Sequence, residues 1–433
     1  MKQDIVTFLR DKRILILGYG REGQSALRFI QANLPDANVA IADQNPVTVD
    51  NLTCFCGPDY LSHCADYDLI IKSPGVAIKD ALDSATRAKI TSSTDLFLRF
   101  CRNLTVGVTA TKGKSTTASL IHHILTANHQ SSILAGNIGK PCLDIIDDLA
   151  HDTIVVLEIS GHQLEFIQAS PHVAILLNLY EEHFDHFAQP ADYFTAKKQI
   201  YRYQNADDLL IYGDIFQHAT HEEIDRLPMH KIDLYHDHIV DFDKIKTSLI
   251  GAHYRYDICA AIAACEHFGL SETACLDAVA TFHGLPHRLE YIGTFQGIKF
   301  YNDSIATAQE ATIGALKAIP DVDTLILGGM NRGIDYHPLV NYLRQHPVTH
   351  IFLLPDTNEA LRKIFAEAPY AGTLTDVANL QTAVQQSFVV TQNGHSCLLS
   401  PSAPSYNQYK NFEERGEDFR KQVATYAKKN TDE

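Results

Sequence analysis

The chain has 433 residues, 45% hydrophobic and 20% charged, with 36 Lys and Arg against 52 Asp and Glu for a net charge of −16. At roughly 100–200 residues per domain this gives room for about three globular domains, and the composition excludes a disordered, collagenous or fibrous chain. So acidic a chain is unsuited to sequence-independent nucleic-acid binding, which needs Lys and Arg to neutralise phosphates.

The cysteines Cys54, Cys56, Cys64, Cys101, Cys142, Cys259, Cys265, Cys275 and Cys397 have neither disulfide-framework nor zinc-knuckle spacing and read as reduced thiols. The opening residues MKQDIVTFLRDKR lack the apolar core of a signal peptide. No window approaches ~18 uninterrupted apolar residues, so no membrane insertion is expected. These features together predict a cytoplasmic protein.

In chain order, Arg13–Leu17 predicts a buried strand, followed by Gly18-Tyr19-Gly20-Arg21-Glu22-Gly23 and a helix over Gln24–Gln31. Strands follow at Asn38–Ala42 and Asp68–Lys72. Strand–helix alternation of this kind builds a parallel sheet with both faces covered. Gly18-x-Gly20-x-x-Gly23 between strand and helix, with Asp43 after the next strand, is a dinucleotide-type pattern. Its glycines let backbone approach a diphosphate, and the helix N-terminus adds partial positive charge. Any nucleotide diphosphate suits that geometry, and a tight turn with close helix packing also accounts for the glycines. Ser73-Pro74-Gly75 is a turn directly after a strand, where open α/β sheets bind ligands.

A second unit starts near Thr94. It has strands Leu104–Val108, Ser132–Ala135, Ile154–Leu157 and Val173–Leu177, and a helix over Lys114–Leu125. Gly107-Val108-Thr109-Ala110-Thr111-Lys112-Gly113-Lys114-Ser115-Thr116 joins its first strand to that helix. A strict Walker A loop has four residues between its glycines, and here there are five. The physics is unchanged: backbone N–H groups wrap phosphate oxygens, Lys114 adds a point charge, and Ser115 is a Mg²⁺ ligand. Glu158 closes the strand Ile154–Leu157, where a magnesium carboxylate would sit. His183 also follows a strand, although one histidine among 22 carries little information by itself. Lys197 and Lys198 fall on a predicted helix over Tyr193–Tyr201, and spacing says only that they share it.

A third unit begins near His287. Tyr291–Phe295 and Ile298–Tyr301 flank Gln296-Gly297 as a β-hairpin. Strands Thr324–Leu327, His350–Leu354 and Cys397–Leu399 then alternate with helices. Two phosphate loops on two sheets point to ATP plus a second, nucleotide-linked ligand.

Taken together, the motifs resemble those of the Mur ligase superfamily along the whole chain. The resemblance rests on Gly107–Thr116, Gly136-Asn137-Ile138-Gly139, Leu157-Glu158-Ile159-Ser160-Gly161-His162-Gln163 and Asn178 to His186. It continues in Ala196-Lys197, His287-Arg288-Leu289-Glu290, Asn302-Asp303-Ser304, Leu327-Gly328-Gly329 and Ser400–Ser405. The closing Lys410-Asn411-Phe412-Glu413-Glu414-Arg415-Gly416 is similar to the D-glutamate-adding branch.

The resemblance implies three α/β domains. These are a Rossmann-like N-terminal domain (1–93) for the UDP substrate, a P-loop ATPase-like central domain (94–286) and a Rossmann-like C-terminal domain (287–433) for the amino acid. It implies an ATP-dependent acid–D-amino-acid ligase that adds D-glutamate to UDP-N-acetylmuramoyl-L-alanine through an acyl phosphate, as a monomer in cytoplasmic peptidoglycan precursor synthesis. Gly18, Tyr19, Gly20, Arg21, Asp43, Gln44, Ser73, Gly75, Asn137 and Gln163 would bind the UDP substrate. Thr109, Ala110, Thr111, Lys112, Gly113, Lys114, Ser115, Thr116, Asp257, Arg288 and Asp303 would bind ATP. Ser115, Glu158, His183 and Lys197 would hold Mg²⁺, two ions in all, with Lys197 as a carbamate. Lys114, His183 and Lys197 would be catalytic, and Thr307, Arg332, Ser405 and Phe412 would take the amino acid. Such a site draws on three domains, and short hinges fit closure around ATP.

The chain departs from the family pattern at Ala110 (glycine), Tyr254 and Asp257 (asparagines), Ile305 (lysine) and Arg332 (lysine). The last two leave L-glutamate or another acidic amino acid open as the substrate. Readings of another class are an NAD-dependent oxidoreductase, based on Gly18–Gly23 and Asp43, and a non-catalytic nucleotide-binding protein with a degenerate site.

Overall fold

The computed structural model describes residues 1–79, 81–180, 186–187, 189–216, 218–237, 240–249, 251 and 254–429. Strands β1 (Ile14–Leu17), β2 (Val39–Asp43), β3 (Thr53–Cys56), β4 (Leu69–Lys72) and β5 (Ile90–Thr91) form a parallel sheet in the order β3-β2-β1-β4-β5. In β1, Ile14 and Ile16 enter one apolar cluster and Leu15 and Leu17 another. Both faces of the pleat are covered, so the strand reads as an unbroken apolar run.

The second sheet contains β6 (Thr105–Thr109), β7 (Ser132–Gly136), β8 (Ile154–Glu158), β9 (Val173–Asn178), β10 (Leu209–Asp214) and β11 (His230–Asp233). Its order is β11-β10-β9-β6-β8-β7, again parallel. The third contains β12 (Glu290–Phe295), β13 (Ile298–Asn302), β14 (Val322–Leu327), β15 (His350–Leu353), β16 (Thr373–Asp376) and β17 (Ser396–Leu399). Its order is β12-β13-β17-β14-β15-β16, with only β12 antiparallel to its neighbour. The hairpin turn lies at Gln296 and Gly297, at φ 51° and 78°. Both signs are positive, as a two-residue turn that matches strand twist requires.

One compact unit holds the first two sheets, together with helices Tyr254–His267 and Glu272–Thr281; the other, from His283 onward, holds the third sheet. The first two sheets share a core. A single apolar cluster runs from Ile5 and Ile14 through Leu96, Phe97 and Ile145 to Leu176 and Ile224. Helix Ser93–Phe100, capped by Ser92, buries Leu96 and Phe97 in it.

The sequence reading omits β3, β5, β10, β11 and β16. Of these, β3 and β16 are half-exposed edge strands and β5 has only two residues. An edge strand needs no continuous apolar run, which removes the sequence signal.

Candidate active site

Both glycine loops sit at the carboxyl ends of central strands, where a parallel sheet opens a crevice. After β1 the chain turns at Gly18, φ 87°, and Gly20 caps helix Arg21–Asn33. A Cβ on Gly23 would lie 2.1 Å from the Gly18 carbonyl oxygen, so the third glycine lets the helix pack against the turn. Ser73 Oγ donates to that same carbonyl at 2.6 Å. Asp43 accepts the Tyr19 N–H at 2.7 Å on one oxygen and the Asn45 N–H at 2.8 Å on the other. Its carboxylate therefore braces the loop.

Of the ten residues expected at the UDP substrate, eight line one cavity of 320 Å³: Gly18, Gly20, Arg21, Asp43, Gln44, Ser73, Gly75 and Asn137. Tyr19 and Gln163 are not among the lining residues. Gln163 closes a capping box with Ser160 and donates to Glu22, which does line the cavity. Asn45, Tyr60, Pro74 and Val76 complete the walls without having been singled out in the sequence. Glu22 and Pro74 lie inside the quoted loops, whereas Tyr60 arrives from a 3-10 turn with no motif to mark it.

The second loop follows β6. Gly113, φ 95°, caps helix Lys114–Ala127, and a Cβ there would meet Asp257 Oδ1 at 2.4 Å. The fit binds helix Tyr254–His267 to the loop through Asp257. Asn178, at the end of β9, accepts the Thr111 and Lys112 N–H groups at 3.1 and 2.9 Å and donates to the Lys112 carbonyl at 2.9 Å. Thr111 Oγ1 lies 3.1 Å from the Tyr193 hydroxyl. Lys114 Nζ donates to the Ala110 and Thr111 carbonyls at 3.0 and 3.1 Å, and Lys197 Nζ donates to Ala110 at 2.7 Å. Two ammonium groups from distant helices thus converge on one carbonyl. Ser115 and Thr116 follow Lys114 in the first helical turn.

Glu158 pairs with Val108 in register, which sets its carboxylate beside this loop. It is 1% exposed; Oε1 accepts from Asn137 Nδ2 at 2.7 Å, and Oε2 has no partner among the described residues. A buried carboxylate oxygen left open next to this glycine loop fits a hard cation. Thr109 Oγ1, also buried, is open in the same sense. His183 lies outside the described residues, and among the described residues no group of three or more His, Cys, Asp and Glu side chains could hold a metal.

The two loops are linked. Arg21, at the start of the first helix, donates to the carbonyls of Gly136 and Asn137 at 2.9 and 2.8 Å, and Asn137 in turn holds Glu158. Arg21, Asn137 and the open Glu158 carboxylate thereby form a single hydrogen-bonded chain.

In the C-terminal unit, Asp303 follows β13 and is 5% exposed. It accepts from Leu289 N at 3.1 Å and Ser400 Oγ at 2.8 Å. Thr307 and Arg332 are exposed, and the Arg332 guanidinium lies 6.0 Å from the Tyr406 ring centre. Ser405 is buried, and Phe412 opens the last helix edge-on to His287, with ring centres 6.3 Å apart.

A profile of the Mur ligase middle domain matches residues 108–265. Over 398 residues the chain is 33% identical to UDP-N-acetylmuramoylalanine–D-glutamate ligase of Symbiobacterium thermophilum, covering 85% of this chain and 86% of that one. The chain belongs to the Mur ligase family. The enzyme of the same name from Geobacillus kaustophilus is 31% identical over 447 residues, covering 95% and 97% of the two chains. Among solved structures, the MurF ligase of Thermotoga maritima in complex with ADP is similar in fold, with a TM-score of 0.58 at 15% identity and coverage of 98% and 97%.

Two departures of this Mur ligase from the family pattern have a structural account. Ala110 keeps a negative φ and buries its methyl completely, so the loop tolerates it. Asp257 places its carboxylate against Gly113, so it serves the loop.

Burial pushes the Asp303 carboxyl up to about 7. An acid raised in this way binds more protons folded than unfolded between about pH 4 and 7, so its contribution to the ligase's stability falls as pH rises through that window. Asp303→Asn removes the ionisation. The variant is expected to melt several degrees above wild type near pH 8 and close to it near pH 4, by calorimetry. An equal difference at both pH values would contradict this origin.

Proposed function

We propose that this Mur ligase adds D-glutamate to UDP-N-acetylmuramoyl-L-alanine, driven by ATP, in peptidoglycan precursor synthesis. The observation that carries the reading is the chain Arg21–Asn137–Glu158, which joins a diphosphate-type cleft to an ATP-type loop. An oxidoreductase needs only the first loop. The names of the relatives support the choice of substrates.

The proposal divides the chain functionally at 93/94 and 286/287. It assigns ATP contacts to Thr109–Thr116, Asp257, Arg288 and Asp303. The UDP substrate goes to the cavity lined by Gly18, Arg21, Asp43, Ser73 and Asn137, and the incoming amino acid to Thr307, Arg332, Ser405 and Phe412. Nine free thiols and the absence, among the described residues, of a helix long and apolar enough to cross a membrane are in keeping with a cytoplasmic setting. A monomer is part of the same proposal.

A carboxylate is a poor electrophile. Transfer of the ATP γ-phosphoryl group to the alanyl carboxylate yields ADP and an acyl phosphate. The glutamate amine then adds to its carbonyl carbon, and phosphate leaves as the amide forms and the nitrogen sheds its proton. Both steps crowd negative charge, which Lys114 and the N–H groups of Gly113–Thr116 would offset. Bound magnesium would supply charge neutralisation and polarisation of phosphoryl oxygens. Glu158, Ser115, His183 and Lys197 as a carbamate would hold it. Lys197 is 2% exposed, and a carbamate on it would replace a second cation with an oxygen anion suited to a hard metal.

Purified protein with UDP-N-acetylmuramoyl-L-alanine, ATP, Mg²⁺ and D-glutamate is expected to release phosphate and lengthen the peptide. Release with L-glutamate alone would move the substrate assignment, and release with neither would overturn the reading.

A further inference from the structure

Arg415, in the last helix, is 1% exposed, and no carboxylate pairs with it among the described residues. Its Nε donates to Ser304 Oγ at 3.0 Å, Nη2 to the Ser304 carbonyl at 2.8 Å and Nη1 to the Ala403 carbonyl at 3.0 Å. Burying a guanidinium without an anion is costly, and an apolar side chain of similar volume would fill the same core without that cost. The cation therefore calls for a role beyond packing.

Its contacts share one property. Ser304 lies three residues before Thr307, and its hydroxyl donates to the Phe412 carbonyl at 2.8 Å. Ala403 lies two residues before Ser405. Gly329, three residues before Arg332, packs so closely that a Cβ on it would be 3.0 Å from Arg415 Nη1. The Met330 N–H donates to the Pro404 carbonyl at 2.8 Å, tying that glycine loop to the serine-rich turn. One planar fork thus touches or adjoins all four segments that carry Thr307, Arg332, Ser405 and Phe412. These segments come from loops after the neighbouring strands β13, β17 and β14 and from one helix start. A guanidinium offers five donors in fixed directions, whereas a lysine offers a single rotating point.

We propose that Arg415 is a positioning residue for the amino-acid pocket, setting through Ser304 and Ala403 the distances between the side chains that grip the incoming acidic amino acid. The inference rests on the assignment of that pocket under the proposed function.

Steady-state kinetics of Arg415→Lys in the full-length enzyme test it. The KM for D-glutamate is expected to rise by about tenfold or more, while the KM values for ATP and for the UDP substrate stay within about twofold. A purely structural arginine would move all three together or lower the active fraction alone. Where circular dichroism shows Arg415→Lys to be unfolded, Ser304→Ala carries the test, since it keeps the cation but removes the hydroxyl between Nε and the Phe412 carbonyl. A severalfold rise in the glutamate KM alone is then expected. An unchanged glutamate KM in a folded variant, or equal changes in all three constants, overturns the inference. Wild-type enzyme that turns over no acidic amino acid overturns the functional reading, and this inference with it. Wild-type turnover with unaffected variants overturns the inference alone.

Discussion

Lys114→Ala is expected to lower ATP-dependent ligation by at least about 10²–10³ in kcat, the loss of roughly 3–4 kcal/mol from a preorganised charge contact. The side chain opens helix Lys114–Ala127 directly after the left-handed Gly113, so the helix N-terminus and the ammonium address the same space. Its Nζ bonds to the Ala110 and Thr111 carbonyls, which holds the cation inside the curve of the loop. Alanine is a good helix former at that position, so the fold should persist. The measurement is ADP release under saturating substrates, with a melting curve alongside. Near-wild-type turnover by a folded variant would remove Lys114 from the mechanism.

Lys197→Arg carries the second large effect. Arginine keeps a cation at the site but cannot take up CO₂ in the way a lysine amine does, where the nitrogen attacks carbon and releases a proton to leave an N-carboxylate. The Lys197 amine is 2% exposed and shares the Ala110 carbonyl with Lys114. If that amine becomes a carbamate, it supplies, with Glu158, oxygen ligands for magnesium. Loss of those ligands is expected to reduce kcat by about 10²–10³. Wild-type enzyme in CO₂-stripped buffer should lose activity and regain it on adding bicarbonate, whereas the variant should not respond. Carbon-13 bicarbonate should give a carbamate resonance in wild-type protein that is missing from the variant. Full activity of wild-type enzyme in CO₂-stripped buffer, without such a resonance, would leave Lys197 as a structural lysine on the loop.

Much of the site was legible because backbone demands are local. A turn at positive φ, a helix that must pack on a carbonyl and an N-terminus facing a phosphate each ask for particular residues within a few positions. Gly18, Gly23 and Gly113 answer those demands in sequence order. The same holds for the hairpin at Gln296-Gly297. The residues that join these pieces were not legible in that way. Asn178 appears in the sequence only as the start of a motif, and its clamp on Thr111 and Lys112 needs β9 beside β6. Tyr60 reaches the cleft wall from a short 3-10 turn with no periodicity.

The amino-acid sequence by itself determined that the chain has two glycine loops on parallel sheets and a hairpin-led third sheet, together with the motif order of a Mur ligase. Tertiary structure decided that Arg21 reaches Asn137, that Asn137 holds Glu158, and that Arg415 sits buried among Ser304 and Ala403. It also decided that the first two sheets share one apolar core. Local backbone geometry selects residue types that can be read off the chain. A hydrogen bond between residues a hundred positions apart leaves no trace in spacing, and exists only once strand order has brought its partners together.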